Sequence, residues 1–259
     1  MKSHKNIQPD RMAKIVEMLN KSNYVTVEEI CDLINVSPAT IRRDLRILNE
    51  KGIIDRFHGG VTIKSKISIP FSDREKENIK EKNKIALEAI KLIKNNSSII
   101  LDAGTTAMQL ARQLEKTANK NLTIITTAIN IAQLLLKKAG FKIILSGGLV
   151  SVETNSLVST LSVEAFGKLR ANIAFIGCEA VSPNLEIMYS DLEIIQVKKA
   201  ILNSACYKVM LVDSSKFGKT SLSSLGEIDL FNMIITDSKL QKKYADVVKK
   251  RDIELVIAE

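Results

Sequence analysis

Between Leu101 and Ala111 the chain reads LDAGTTAMQLA: an apolar run ending at Asp102, one glycine, two threonines, then a helix-like pattern. A strand end, a glycine that admits close approach, two hydroxyls and the free N–H groups of a helix N-terminus together favour an anion, most often a phosphate. Taken alone, the same residues also suit a tight strand-to-helix turn whose threonines only cap the helix. Two further segments extend the polar set. Ser146-Gly147-Gly148 ends one apolar run with bare backbone, and Asp213-Ser214-Ser215-Lys216-Phe217-Gly218 ends another with a carboxylate, hydroxyls and an ammonium. Strand ends that converge in this way make a polar pocket.

A second chemistry lies near the N-terminus, in VTVEEICDLINVSPATIRRDLRILNEKGIIDRFHGG. Val27, Ile30, Leu33 and Val36 are spaced for one short amphipathic helix and its turn. Ser37 and Pro38 then supply an N-cap and an N1 proline for a second helix. Within it Ile41, Leu45 and Leu48 share a buried stripe at i, i+4 and i+7. At about 100° per residue, Ala39, Arg43 and Arg46 project from the opposite face, with Thr40 and Arg42 on its flanks. Guanidinium groups fork onto guanine or clamp phosphates, while Thr and Ala admit close approach to bases. In KGIIDRFHGG, Arg56 and His58 decorate a ribbon with turn residues Gly59 and Gly60, which fits a wing beside a recognition helix. The competing reading is a winged helix used for protein contacts, its arginines merely solvated.

These groups need elements to hold them. Ile15 and Leu19 open the series of small helices, so residues up to about 64 read as helix, helix, helix and ribbon. Residues 65–84 shift to mixed charge with one proline, a linker that becomes a solvated helix. Beyond them the short apolar runs SIILD, LTIITT, FKIILS, NIAFIG, KVMLVD, NMIITD and IELVIA alternate with helical patterns such as AMQLARQLEK and DLEIIQVKKAILNSA. Such alternation predicts an α/β fold with a largely parallel sheet covered on both faces. Ligands of such sheets bind outside the carboxyl ends of the strands, where Asp102, Ser146, Gly177, Asp213 and Asp237 all fall.

The 259 residues hold a large and a small domain, and 45% apolar with 26% charged residues is a globular composition that argues against disorder. The net charge of +9 favours anionic partners but is spread along the chain. LQKKYADVVKKRD reads as the wet face of a terminal helix. No stretch of about 18 apolar residues could span a bilayer, and the polar MKSHKNIQPDR is no signal peptide, so a cytoplasmic protein without membrane partners is expected. Cys31, Cys178 and Cys206 match no metal-ligand or disulfide spacing; they are expected to be reduced thiols, with no metal and no cofactor.

The string VSPATIRRDLRILNEKGIIDRFHGGV closely resembles the N-terminal signature of the DeoR-type bacterial transcription repressors, a Thr-Ile-Arg-Arg-Asp-Leu recognition helix followed by a His-Gly-Gly wing. The resemblance continues in order through LDAGTT, NIA, SGG, FIG, VDSSKFG and ITD. It implies a winged helix-turn-helix over 1–64 that binds operator DNA through Ser37, Ala39, Thr40, Arg42, Arg43, Arg46, Arg56, His58, Gly59 and Gly60. A connecting segment over 65–83 would lead to a Rossmann-like sensor over 84–259, related to ribose-5-phosphate isomerase and responsive to a phosphorylated sugar or polyol. Asp102, Gly104, Thr105 and Thr106 would form its phosphate end, with Gly147 and Gly148 beside them. Asp191, Lys198, Asp213, Lys216 and Asp237 match the remaining polar positions. Three of these have plainer readings: Asp191 capping a helix, Lys198 solvated, Asp237 capping a turn. The chain departs from the family pattern at Thr127, Ser159, Ala180 and Ile194, where Asn, Gly, Gly and Glu are usual. A homodimer or homotetramer is expected, since small reading heads need paired half-sites.

Two other functions compete with this one. An isomerase could recruit Asp102, Glu179, Asp213 and Lys216, but there is no dense acid cluster like that enzyme's catalytic loop, and fold similarity confers no activity. A ligand-blind DNA-binding factor is the other alternative. The expectation is therefore a regulator, not an enzyme.

Overall fold

The computed structural model describes residues 8–21, 25–51, 53–57, 60–63, 71–117 and 121–259, and the chain divides into two compact units, 1–69 and 70–259. In the first, α1 (Gln8–Lys21), β1 (Val25–Thr26), α2 (Val27–Ile34), α3 (Pro38–Glu50), β2 (Ile54–Phe57) and β3 (Gly60–Ile63) follow in turn. A capping box starts α2: the Thr26 hydroxyl accepts from the Glu29 amide at 3.2 Å, and Glu29 accepts from the Thr26 amide at 2.7 Å. Asn35 ends that helix in the left-handed region, φ 56°. Ile15, Leu19, Ile30, Ile34, Ile41, Leu45 and Leu48 form one core with Val25, Ile54 and Val61. Leu33 corrects the sequence expectation: it is 74% exposed, and Ile34 is buried instead. At about 100° per residue, i+4 lies nearer to Ile30 around the helix than i+3, which is enough to choose between adjacent apolar residues in so short a helix. The ribbon β2–β3 is antiparallel, and β1 pairs with β3 to complete three strands.

The second unit runs α4 (Phe71–Lys76), α5 (Ile79–Ala89), β4 (Ser97–Leu101), α6 (Thr105–Lys116), β5 (Leu122–Thr126), α7 (Ile129–Leu135) and β6 (Phe141–Leu145). It continues with β7 (Leu149–Ser151), β8 (Ser156–Val158), α8 (Thr160–Lys168), β9 (Ala171–Gly177), β10 (Ala180–Val181), β11 (Glu186–Tyr189) and α9 (Leu192–Asn203). The remainder is β12 (Ala205–Leu211), β13 (Ser223–Glu227), β14 (Met233–Asp237), α10 (Lys242–Val248) and β15 (Glu254–Ala258). Seven strands form a sheet in the order β15-β14-β12-β9-β4-β5-β6, every pair parallel. They are the seven apolar runs of the sequence.

Alternate residues of each strand enter opposite cores. Ile99, Leu101, Phe175 and Leu211 pack under α5, α6 and α7, whereas Ile100, Ala174, Ile176 and Met210 pack under α8, α9 and α10. The chain winds outward from β4 through β5 to β6, then resumes on the other flank at β9, so the strand order reverses between β4 and β9. In open sheets that reversal opens a crevice at the carboxyl ends. A hairpin of β7 and β8 and a small antiparallel sheet, β10-β11-β13, flank this edge. Of the segment expected to become a solvated helix, residues 71–84 are exposed or half-buried apart from Lys82, and α5 continues past it to bury Ile85, Ala86 and Ala89 in the core.

Candidate functional site

The recognition helix α3 is held from beneath. Ser37 caps it, accepting from the Thr40 amide at 3.4 Å, and its hydroxyl also meets the Thr40 hydroxyl at 3.0 Å. Asp44, in the middle of α3, is buried. It accepts from Arg11 Nη2 at 3.0 Å, from Arg11 Nε and from Gln8 Nε2 at 3.1 Å, which pins α1 to α3. That hydrogen bond to Asp44 raises the Arg11 pKa further. With Ile41, Asp44, Leu45 and Leu48 turned inward, Ala39, Arg42, Arg43 and Arg46 are exposed and Thr40 is half-buried. Arg46 stands 3.9 Å from Glu50, an exposed pair of little energetic weight. Arg56 lies in β2, in register with Val61, and Gly60 begins β3; His58 and Gly59 lie outside the described residues. Nothing in the spacing of the sequence singled out Asp44 or its partner Arg11.

In the second unit the parallel sheet delivers its polar residues to one edge. Asp102 follows β4, Ser146 follows β6, Gly177 ends β9, Asp213 stands just beyond β12, and Asp237 ends β14. Asp102 bridges the reversal between β4 and β9. Its amide donates to Phe175 O at 3.0 Å, while its Oδ2 accepts from the Gly177 amide at 3.2 Å and pairs with Lys198 Nζ. Burial pushes the Asp102 carboxyl upward in pKa, and Lys198 opposes that shift. Lys198, on α9, is 5% exposed, not solvated, and its ammonium lies 5.4 Å from the centroid of the Tyr189 ring. The Tyr189 hydroxyl in turn donates to Gly177 O at 2.6 Å.

Two residues after Asp102, Gly104 precedes α6, and no side chain caps that helix. The first helical bond runs from the Met108 amide to Gly104 O at 2.9 Å, so the amides of Thr105, Thr106 and Ala107 point out of the helix end without an intrahelical acceptor. Thr105 is half-buried and Thr106 buried. Gly147 and Gly148 adopt φ of 79° and 123°, conformations that favour glycine. A Cβ on Gly148 would come within 2.5 Å of Ser162 Oγ, and Ser162 already donates to Gly147 O at 2.6 Å. Ser159, at the start of α8, holds φ 135°, and among the described residues its buried hydroxyl has no hydrogen-bond partner.

Asp213 and Asp237 are linked through the turn between them. Asp237 accepts from the Ser214 amide at 2.6 Å, the Ser214 hydroxyl at 2.9 Å and the Lys239 amide at 3.0 Å, while Lys216 is half-buried on the same turn. Asp213 accepts from the Ser215 amide at 3.2 Å and from the Ser215 hydroxyl. Asp191 caps α9, accepting from the Glu193 amide at 2.8 Å. Asn78 and Lys82 of the α4–α5 segment were not anticipated. Asn78 Nδ2 reaches Asp213 Oδ1 at 3.0 Å, and Lys82 Nζ, buried, donates to Arg74 O at 2.6 Å. Burial pushes the Lys82 pKa down to about 8, and Asp213 opposes the shift. An asparagine ahead of a helical pattern was the available signal, since Asn tolerates the left-handed conformation such an elbow needs.

A winged reading head joined to an α/β domain with a polar crevice is the architecture of a DNA-binding regulator that carries its own sensor. Residues 11–66 match the DeoR-like helix-turn-helix domain and residues 77–238 the DeoR C terminal sensor domain; the chain belongs to the DeoR family. It is 30% identical over 249 residues to the Glycerol-3-phosphate regulon repressor of Escherichia coli (strain K12), covering 96% of this chain and 98% of that one. To the Lactose phosphotransferase system repressor of Staphylococcus epidermidis it is 34% identical over 250 residues, covering 95% and 96%. The ribose 5-phosphate isomerase A structure from Methanocaldococcus jannaschii is similar over 54% of this chain and 55% of that one, at 23% identity and a TM-score of 0.41.

Proposed function

We propose that this protein is a sequence-specific transcriptional repressor of sugar or carbohydrate metabolism genes, and that a phosphorylated sugar or polyol alters its operator affinity. It acts in the cytoplasm as a homodimer or homotetramer and catalyses no reaction. The observation that carries the reading is the presence, in one chain, of an outward row of arginines on a capped α3 and an uncapped α6 at the strand-order reversal. In this reading Arg42, Arg43 and Arg46 meet bases and phosphates, with Ser37, Ala39 and Thr40 at close approach and Arg56, His58, Gly59 and Gly60 in the wing. The Thr105 and Thr106 end of α6 seats the phosphate together with Gly104, Gly147 and Gly148. Asp213, Lys216 and Asp191 address the hydroxyls, and Asp102, Lys198 and Asp237 shape the crevice that presents them. Glycerol and lactose appear in the names of two relatives, which supports a carbohydrate-derived effector. Footprinting on the gene's own promoter region, with and without phosphorylated sugars, tests the reading. Protection of a discrete site that changes with one of the compounds is expected; absence of any protected site there would reject it.

A further inference from the structure

Asp213 is held by the protein through one of its two oxygens. Oδ1 takes three donors, the Ser215 amide, the Ser215 hydroxyl and Asn78 Nδ2, and among the described residues no hydrogen bond falls on Oδ2. The third donor comes from far away in sequence. Asn78 sits at the elbow between α4 and α5 in the left-handed region, φ 50°, and makes no helix cap of its own; its amide spans to Asp213 and to the Ser215 hydroxyl, at 3.1 Å. The short α4 before this elbow is tied to the rest of the unit at several points. Arg74 Nη2 donates to Glu153 O at 2.9 Å, Glu75 accepts from Arg112 at 2.9 Å, and the Arg74 carbonyl accepts from Lys82. In sequence, α4 is the first described helix after the reading head.

We propose that Asn78 is a positioning residue of the effector site, which fastens the α4–α5 elbow to the carboxylate that an effector hydroxyl engages. The inference rests on the sensor reading above. A hydroxyl donating to Oδ2 fixes the same carboxylate that Asn78 fixes through Oδ1, so each lowers the ordering cost of the other. Effector binding and elbow closure therefore favour each other, and by linkage the coupling is reciprocal. The elbow thereby senses occupancy of the pocket and passes it to the segment that leads back to the reading head.

Hydrogen exchange on the full-length protein tests this, with N78G as the first variant because glycine accepts the left-handed backbone while the side chain that carries the amide is removed. A melting temperature near that of the wild type reports that N78G folds, and N78D, which cannot donate and opposes the Asp213 charge, is the second variant. Without ligand, amides of residues 71–78 should exchange on the order of tenfold faster in both variants, the effect of losing a hydrogen bond to a carboxylate. Exchange there that matches the wild type would overturn the proposal. The second arm uses glycerol 3-phosphate, glucose 6-phosphate, galactose 6-phosphate and fructose 1-phosphate. A compound that raises the wild-type melting temperature should slow exchange at 71–78 and bind N78G about tenfold more weakly. Equal affinity for both proteins would refute the elbow while leaving sensing intact. If none of the four stabilises the wild type, sensing of these phosphates fails, and the ligand-free exchange still decides whether Asn78 holds the elbow.

Discussion

At 1% and 5% exposure, Asp102 and Lys198 are buried against each other, and either one left as an isolated buried ion would cost several kcal/mol. Removing one partner strands the other. K198M should therefore destabilise the fold by about 3 to 5 kcal/mol in urea denaturation, while D102N/K198M should lose clearly less than the two single losses summed. Strict additivity would show that the two groups do not depend on each other. Both residues were legible as polar positions, but their pairing was not, because 96 residues separate them and no periodicity links β4 to α9. Ser159 shows the opposite case. Its departure from the family's glycine was visible in the sequence, and the structure supplies the physical consequence: φ 135° and a buried hydroxyl without a partner among the described residues. S159G should stabilise the protein by about 1 to 3 kcal/mol by relieving both; an unchanged or lower melting temperature would contradict that account.

Whole elements were easier to read than pairs of residues. Each of the seven strands of the parallel sheet was visible as an apolar run, most of them ending in a polar residue, glycine or aspartate, because burial on both faces removes the need for polar alternation. The hairpin β7–β8 and the sheet β10-β11-β13 were not visible: strands of two to five residues carry too few side chains to set a period. Leu33 was misplaced for a related reason, since the stripe of an eight-residue helix is set by one or two residues. On α3 the longer pattern held, with Ile41, Leu45 and Leu48 all buried and Arg42, Arg43 and Arg46 outside. Measured by anisotropy against matched and single-base-altered operators, R43A should weaken operator binding by about 1 to 3 kcal/mol and relax preference at one base position. R56A should weaken all sequences alike and lower the salt slope by about 1, as expected of a phosphate contact. Reversal of those two patterns would exchange the roles assigned to helix and wing.

For the molecule as a whole, a reading head and a sensor in one chain make a switch only if the effector distinguishes the DNA-competent arrangement from the incompetent one. Couplings of this kind amount to about 5- to 150-fold in affinity. Family membership, the capped arginine-bearing helix and the open end of α6 all bear on this claim. The direct measurement is the operator dissociation constant of the full-length protein with and without a stabilising sugar phosphate, for the wild type and for T105V. The wild-type constant should change by a factor within that range, and T105V should bind free operator as the wild type does while losing the response. A wild-type affinity indifferent to every phosphorylated sugar, or a T105V that loses operator binding and response together, would contradict the account.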